Sequence, residues 1–218
     1  MRAILIPVKH LSRAKQRLSG VLPQDARTRL AQAMLEDVFL AVAGVRSAEA
    51  IFVVSSDSNA LAAARARGWE CLPETAQRSE TDSVDAASRI CSARGVTALL
   101  RLPIDIPLVR SEDIEAVLAA CPALPGAVLV PSRHADGTNA LLRTPPDLFP
   151  SHFGPESLRK HLEEARACGA RVELLRNPRI ELDVDDEEDL RALAAHKDLG
   201  GHTAAAVREL LVRPRASL

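Results

Sequence analysis

The sequence predicts an α/β protein with a mostly parallel, mixed central sheet and helices on both faces. Short apolar runs rich in Val, Ile and Leu recur along the chain, and runs of that kind suit strands buried on both sides. Helical patterns separate them, and strands alternating with helices form crossover units that favour parallel pairing. Composition agrees. With 218 residues, 47% of them hydrophobic and 26% charged, the chain can bury a core without disulfides or a structural metal. A single domain is expected over residues 1–218, its core at about residues 2–195 and a helical tail at 196–218.

Ala3-Ile4-Leu5-Ile6-Pro7-Val8 reads as the first buried strand. A long helix is expected over about residues 23–43, where Leu30, Met34, Val38, Val42 and Val45 mark one face at helical spacing. Ile51-Phe52-Val53-Val54 is the second strand, and Ser56 or Asp57 caps a short Ala-rich helix that stops at Gly68. Cys71-Leu72 forms a small strand, and a third helix covers about residues 83–94 before Gly95. Ala98-Leu99-Leu100-Arg101-Leu102 is the next strand, and Ser111-Glu112-Asp113 opens a helix with acids suited to its N-terminal dipole. Ala127-Val128-Leu129-Val130 and Asn139-Ala140-Leu141-Leu142 are strands joined by a loop containing Asp136-Gly137. Pro155 begins a helix that runs to about Ala167, Val172-Glu173-Leu174-Leu175 is a late strand, and Asp185 to Asp189 opens another helix. Beyond Gly200, an amphipathic helix with Val207, Leu210 and Leu211 precedes a basic end with Arg213 and Arg215.

The charge balance excludes several functions. Twenty-eight basic against 29 acidic residues argue against a general polyanion binder. No Tyr, one Trp and four Phe offer no stacking platform for single-stranded nucleic acid, so no nucleic-acid partner is expected. Cys71, Cys91, Cys121 and Cys168 form no C-x-x-C pair and no zinc-spaced cluster, and read as reduced, mostly buried thiols. The first apolar run is too short for a signal peptide and leads into charge. No segment reaches the roughly 18 apolar residues of a membrane span. A cytoplasmic protein without a membrane partner is expected, and a homodimer is one assembly compatible with the sequence.

Ligands of parallel sheets bind beyond the carboxyl ends of the strands, so the loops after the apolar runs carry the chemistry. The first strand leads into Lys9-His10-Leu11-Ser12-Arg13-Ala14-Lys15-Gln16-Arg17, which holds two of the chain's four lysines. Lys9, Arg13, Lys15 and Arg17 either neutralise a polyphosphate or form a solvated basic loop. Neither a P-loop nor a dinucleotide fingerprint occurs. After the strand at residues 98–102, Asp105 stands between apolar residues and prolines, placed as a Mg²⁺ ligand or as a turn aspartate. In Glu181-Leu182-Asp183-Val184-Asp185, an extended backbone would turn Asp183 and Asp185 to one face, where they share an ion; a solvated helix start is the alternative. Ser132-Arg133-His134-Ala135-Asp136-Gly137-Thr138-Asn139 presents the Thr138 hydroxyl and Asn139 amide beside a turn. In Phe153-Gly154-Pro155-Glu156-Ser157, Gly154 as N-cap, Pro155 at the first helical position and Ser157 in the first turn make either an anion site or an ordinary capped helix. His134 and His152 read as surface loop residues.

Several segments then occur in one family's order: Pro7-Val8-Lys9, Ala14-Lys15-Gln16-Arg17-Leu18, Ala33-Met34-Leu35-Glu36-Asp37-Val38, Asp105-Ile106-Pro107, Asp136-Gly137-Thr138-Asn139-Ala140-Leu141 and Gly154-Pro155-Glu156-Ser157. Over roughly residues 2–195 the chain resembles the 2-phospho-L-lactate/phosphoenolpyruvate guanylyltransferases of deazaflavin (F-420) coenzyme biosynthesis, which have the nucleotide-diphospho-sugar transferase fold. The resemblance implies that Lys15, with Lys9, Arg13 and Arg17, holds the GTP phosphates, and that Asp105, Asp183 and Asp185 hold Mg²⁺. It casts Lys15 and Asp105 as the catalytic pair and places a phosphorylated three-carbon acid near Thr138, Gly154 and Ser157. Where many members have Gly-Leu-Asn before the third helix, this chain has Thr81-Asp82-Ser83-Val84-Asp85, a departure near the nucleotide. The implied reaction is in-line attack of an acceptor phosphate oxygen on the α-phosphorus of GTP, with pyrophosphate leaving. A phosphate monoester with a second pKa near ~6 is largely dianionic at neutral pH, so no general base is needed. Two rivals stand beside this reading. One is another nucleotidyltransferase of the fold, of molybdopterin or sugar-phosphate type; the other is a non-catalytic nucleotide-binding protein.

Overall fold

The computed structural model describes residues 1–74 and 79–212. Arg213 and Arg215 lie outside the described residues, as do the side chains of Arg13 and Leu211. The first strand, β1 (Arg2–Val8), is followed by the long helix α1 (Gln24–Ala43), then β2 (Ala50–Ser55), α2 (Ser58–Ala66), β3 (Glu70–Pro73) and α3 (Glu80–Ala93). Next come β4 (Ala98–Arg101), α4 (Ser111–Ala119), β5 (Gly126–Pro131) and β6 (Thr138–Thr144). The chain continues through α5 (Ser157–Ala167), β7 (Arg171–Leu174), the one-turn α6 (Pro178–Glu181), α7 (Glu187–Ala194) and α8 (Gly201–Val212).

Seven strands form one sheet in the order β3-β2-β1-β4-β6-β5-β7. All neighbours pair parallel except β6, which runs antiparallel to both β4 and β5. The connection between β5 and β6 is too short for a helical crossover, so that pair is a hairpin and β6 is reversed. The strands sort their side chains by parity. Ile4, Ile6 and Val8 face a core shared with Val38 and Val42 of α1 and Val117 of α4. Ala3 and Leu5 face the opposite core with Val84, Ala87 and Cys91 of α3. Helices thus cover both faces. A third cluster joins Leu30 and Met34 of α1 to Leu193 of α7 and Val207 of α8, so the final helix docks on the body rather than trailing from it.

Four details depart from expectation. Helix α3 begins at Glu80, because Ser79 accepts the Asp82 N–H at 3.0 Å and caps it three residues early. Helix α5 begins at Ser157 rather than Pro155. Gly154 at φ +114° and Glu156 at φ +59° are left-handed, and helical dihedrals start only after them. Glu181 closes α6 instead of opening an extended run; it is buried and accepts from Arg176 and from the Asn177 N–H. Of the four free cysteines only Cys91 is buried, whereas Cys168 is exposed at the end of α5. No helix among the described residues is long and apolar enough to cross a membrane.

Candidate functional site

The strand order reverses direction at β1. β2 and β3 lie on one side and β4 on the other, so a crevice opens beyond the carboxyl ends of β1 and β4. A cavity of about 720 Å³ occupies that place. Its wall includes Lys9, Lys15, Arg17, Ser56, Glu80, Asp105 and Asp185. The β1 loop is stiff for its length, with two 3₁₀ turns, Leu11–Arg13 and Gln16–Leu18, on either side of Lys15. Lys15 itself has φ +55°. Asp57, the cap of α2, also accepts the Leu11 N–H at 3.1 Å and ties this loop to the neighbouring unit.

Lys15 is the centre of the site. Its Nζ donates to Asp105 Oδ2 at 2.9 Å and to Asp185 Oδ1 at 3.2 Å, and its side chain is only 8% exposed. Burial opposes the lysine's charge, but the two carboxylates outweigh it and raise its pKa. Burial likewise opposes the charge of Asp105, yet Lys15 outweighs it and holds the carboxyl below its usual range. The backbone joins the two acidic loops directly, the Val184 N–H donating to the Asp105 carbonyl at 3.0 Å.

Among the described residues, Asp105 and Asp185 share Lys15, whereas Asp183 has no cation of its own. Burial and the neighbouring charges of Asp105 and Asp185 push it up to about 6. Its one strong neutral partner is the Asn139 amide, which donates to Oδ1 at 3.0 Å and also to the Ile180 and Glu181 carbonyls. Three carboxylates around one ammonium leave negative charge that a further cation would relieve. The oxygen-only donors suit a hard divalent ion that keeps waters and shares phosphate oxygens. No group of three or more His, Cys, Asp or Glu side chains among the described residues forms a ready metal cage, so any such ion would need a ligand's oxygens as well.

Lys9 and Arg17 line the rim. Both are mostly exposed; Lys9 lies 3.4 Å from Glu80 and Arg17 3.6 Å from Asp185. Glu80 also pairs closely with Arg101, a buried cation that donates to the Thr138 and Asn139 carbonyls and stacks 4.1 Å from the Phe153 ring centroid. Thr138, Gly154 and Ser157 do not line the cavity. They gather on its far side around β6 and α5, linked to it through Arg101 and Asn139. Thr138 is buried, with its hydroxyl 3.0 Å from His161 Nδ1. Ser157 is buried at the first position of α5, and Gly154 is exposed with open space where a Cβ would stand. His134 is exposed, and His152 is half-buried beside Glu164 at 2.8 Å.

Sequence reasoning passed over Glu80, Arg101 and His161. Arg101 had a signal, as a charge inside an apolar strand run. His161 had a fainter one, lying on the apolar stripe of α5 with Leu158 and Ala165. Glu80 had none, because its partners are distant in sequence.

Comparison with known proteins agrees with this geometry. The family model described as "Guanylyl transferase CofC like" matches residues 1–214. A phosphoenolpyruvate guanylyltransferase of Rubrobacter xylanophilus is 38% identical over 195 residues, covering 88% of this chain and 92% of that protein. A 2-phospho-L-lactate guanylyltransferase of Methanothermobacter thermautotrophicus is 31% identical over 206 residues, covering 94% and 89%. Among solved structures, a Desulfovibrio desulfuricans G20 protein described as a nucleotide-diphospho-sugar transferase superposes with a TM-score of 0.78. It is 18% identical and covers 95% of this chain and 94% of its own, a likeness of fold. The seven-stranded mixed sheet is therefore that of the nucleotide-diphospho-sugar transferases, and the chain is a nucleotidyltransferase that belongs to the CofC-like guanylyl transferase family.

Proposed function

We propose that this protein transfers GMP from GTP to the phosphate of a phosphorylated three-carbon acid, releasing pyrophosphate, as a step of deazaflavin coenzyme biosynthesis in the cytoplasm. The observation that carries the reading is Lys15 buried between Asp105 and Asp185 at the sheet's switch point, with Asp183 beside them lacking a counter-charge. A nucleoside triphosphate needs both halves of that arrangement. Lys15, with Lys9 and Arg17 at the mouth and with Arg13, would pair with its phosphate oxygens. Asp105, Asp183 and Asp185 would hold Mg²⁺, which when bound neutralises charge on the α-phosphate and on departing pyrophosphate. Positioning and charge neutralisation then supply the catalysis, and the acceptor dianion attacks without a base.

The acceptor belongs on the far side, at Thr138, Gly154 and Ser157. The relatives' names supply two candidate acids, phosphoenolpyruvate and 2-phospho-L-lactate, and 3-phosphoglycerate has the same groups. The whole chain serves as one transferase domain, with α8 packed against α1 as part of it. The test is pyrophosphate release by the purified protein, with each of four nucleoside triphosphates crossed against the three acids, a sugar phosphate and a pterin phosphate. Release with GTP and one of the acids, dependent on both, is the expected result. Release only with a sugar phosphate or a pterin acceptor would instead favour another transferase of the fold.

A further inference from the structure

Three consecutive backbone N–H groups before Gly154 are each held by a side chain from a different part of the chain. The Ser151 N–H donates to both Asp85 oxygens at 3.1 and 3.2 Å. The His152 N–H donates to His161 Nε2 at 2.8 Å, and the Phe153 N–H to Thr81 Oγ1 at 3.1 Å. The middle contact has a chemical consequence. A ring nitrogen that accepts from an N–H presents a lone pair, so Nε2 carries no proton. A neutral imidazole then carries its proton on Nδ1, the atom 3.0 Å from Thr138 Oγ1. His161 is fully buried. Burial first, and then Arg143, His152 and Arg101, lower its pKa to about 3, which keeps the ring neutral.

We propose that His161 is a positioning residue that donates from Nδ1 to the Thr138 hydroxyl, so that the single hydroxyl proton points away from it to the acceptor's anionic group. A hydroxyl has one proton and two lone pairs. With one lone pair engaged by His161, Thr138 is oriented as a donor before substrate arrives, which removes the rotor's alternative of facing an anion with its lone pairs. The same ring also accepts the His152 N–H of the strap that leads to Gly154 and Ser157, a contact distinct from the one to Thr138. In this chain Thr81 and Asp85 hold that strap too, which gives the first two turns of α3 a role on the acceptor side.

This inference rests on the acceptor assignment above, and the experiment separates the two. Pyrophosphate release is measured with GTP and the preferred acid for Thr138→Val, His161→Phe, His161→Gln, His161→Asn and the Thr138→Val/His161→Phe pair, each checked by circular dichroism and thermal melting. Thr138→Val should raise the acceptor KM about tenfold, the scale of a hydrogen bond to a charged group, with the GTP KM within about twofold. His161→Phe should do the same, and the double variant should be no worse than Thr138→Val, since both remove one interaction. His161→Asn keeps an amide N–H near the Nδ1 position and should recover most of the loss. His161→Gln keeps only the strap contact and should not. If Thr138→Val leaves the acceptor KM unchanged, the acceptor assignment fails and this inference with it. If Thr138→Val is impaired while the His161 effects multiply with it, or fall equally on GTP, the acceptor assignment stands and His161 is structural only.

Discussion

At the scale of single residues, the site is a problem in charge balance. Lys15 offsets Asp105 and Asp185, and Asp183 is left to titrate high. Lys15→Met would leave three half-buried carboxylates without the ammonium between them. We expect kcat/KM for GTP to fall about a hundredfold or more. Stability should also drop by about 3 kcal/mol, the scale of breaking a buried pair. Millimolar Mg²⁺ should raise the Tm of that variant more than that of the wild type, because the ion replaces the missing charge. Equal Mg²⁺ shifts in a calorimetric scan would separate the carboxylates from the metal. Asp105→Asn keeps side-chain volume and leaves Lys15 paired with Asp185, so turnover should be lost with a much smaller change in Tm. His161 adds a pH dependence. Its folded pKa is depressed to about 3 from the ordinary histidine value of 6.5, so its stabilising effect is complete above the unfolded value. As pH falls between those two values the unfolded chain takes up the proton first, and stability declines by at most about 1.4 kcal/mol per pH unit. His152, Arg143 and Arg101 face the same ring and deepen the effect. Urea melts near neutral pH and near pH ~5 should differ less for His161→Phe than for the wild type. The sequence made the basic loop and Asp105 legible because each breaks an apolar context just after a strand, and Asp183 and Asp185 legible as acids leading into a helix start. It did not reveal His161 or Glu80, whose meaning depends on Thr138, His152, Arg101 and Lys9, residues brought together only by folding.

At the scale of elements, boundaries mattered more than identities. The strands and long helices followed from periodicity, since buried parallel strands and an amphipathic twenty-residue α1 leave strong patterns. The starts of α3 and α5 did not. Ser79 captured α3 early, and the two left-handed residues around Pro155 delayed α5, so Ser157 occupies the first helical position rather than the first turn's interior. This relocates the cost of altering Gly154. A Cβ there meets no protein atom, but φ +114° is hostile to an L side chain. Gly154→Val should therefore disturb the turn by about 1–3 kcal/mol of local strain. The check is a raised acceptor KM with an unaltered GTP KM. Asp57 makes the complementary case on the nucleotide side. It caps α2 through the Asn59 and Ala60 N–H groups and holds the Leu11 N–H. Asp57→Ala should cost about 1–2 kcal/mol in denaturant unfolding. Its GTP KM should rise while the acceptor KM stays near the wild-type value, because only the β1 loop loses an anchor.

At the scale of the whole molecule, the mixed sheet is what brings the two substrates to one place. Parallel β1 and β4 send the basic loop and Asp105 to the switch-point crevice. The reversed β6 begins beside that crevice, so Asn139 reaches Asp183 while the adjacent Thr138 reaches His161. Two successive residues of one strand thus face opposite ways, Asn139 to the acidic loop and Thr138 to α5, as alternation along a strand requires. The alternation of strands and helices made the sheet legible from sequence, and a short Asp-Gly loop signalled the hairpin. The convergence of residues 15, 105, 183 and 185 was legible only through the family resemblance, and the place of Asn139 among them was not, because it is a property of strand order. The central claim is that an acceptor phosphate oxygen attacks the α-phosphorus of GTP at this crevice. The direct measurement uses an acceptor acid whose phosphate carries heavy oxygen, with mass spectrometry of both products. The account predicts unlabelled pyrophosphate and a GMP–acid anhydride retaining all of the label; labelled inorganic phosphate, or GDP in place of pyrophosphate, would contradict it.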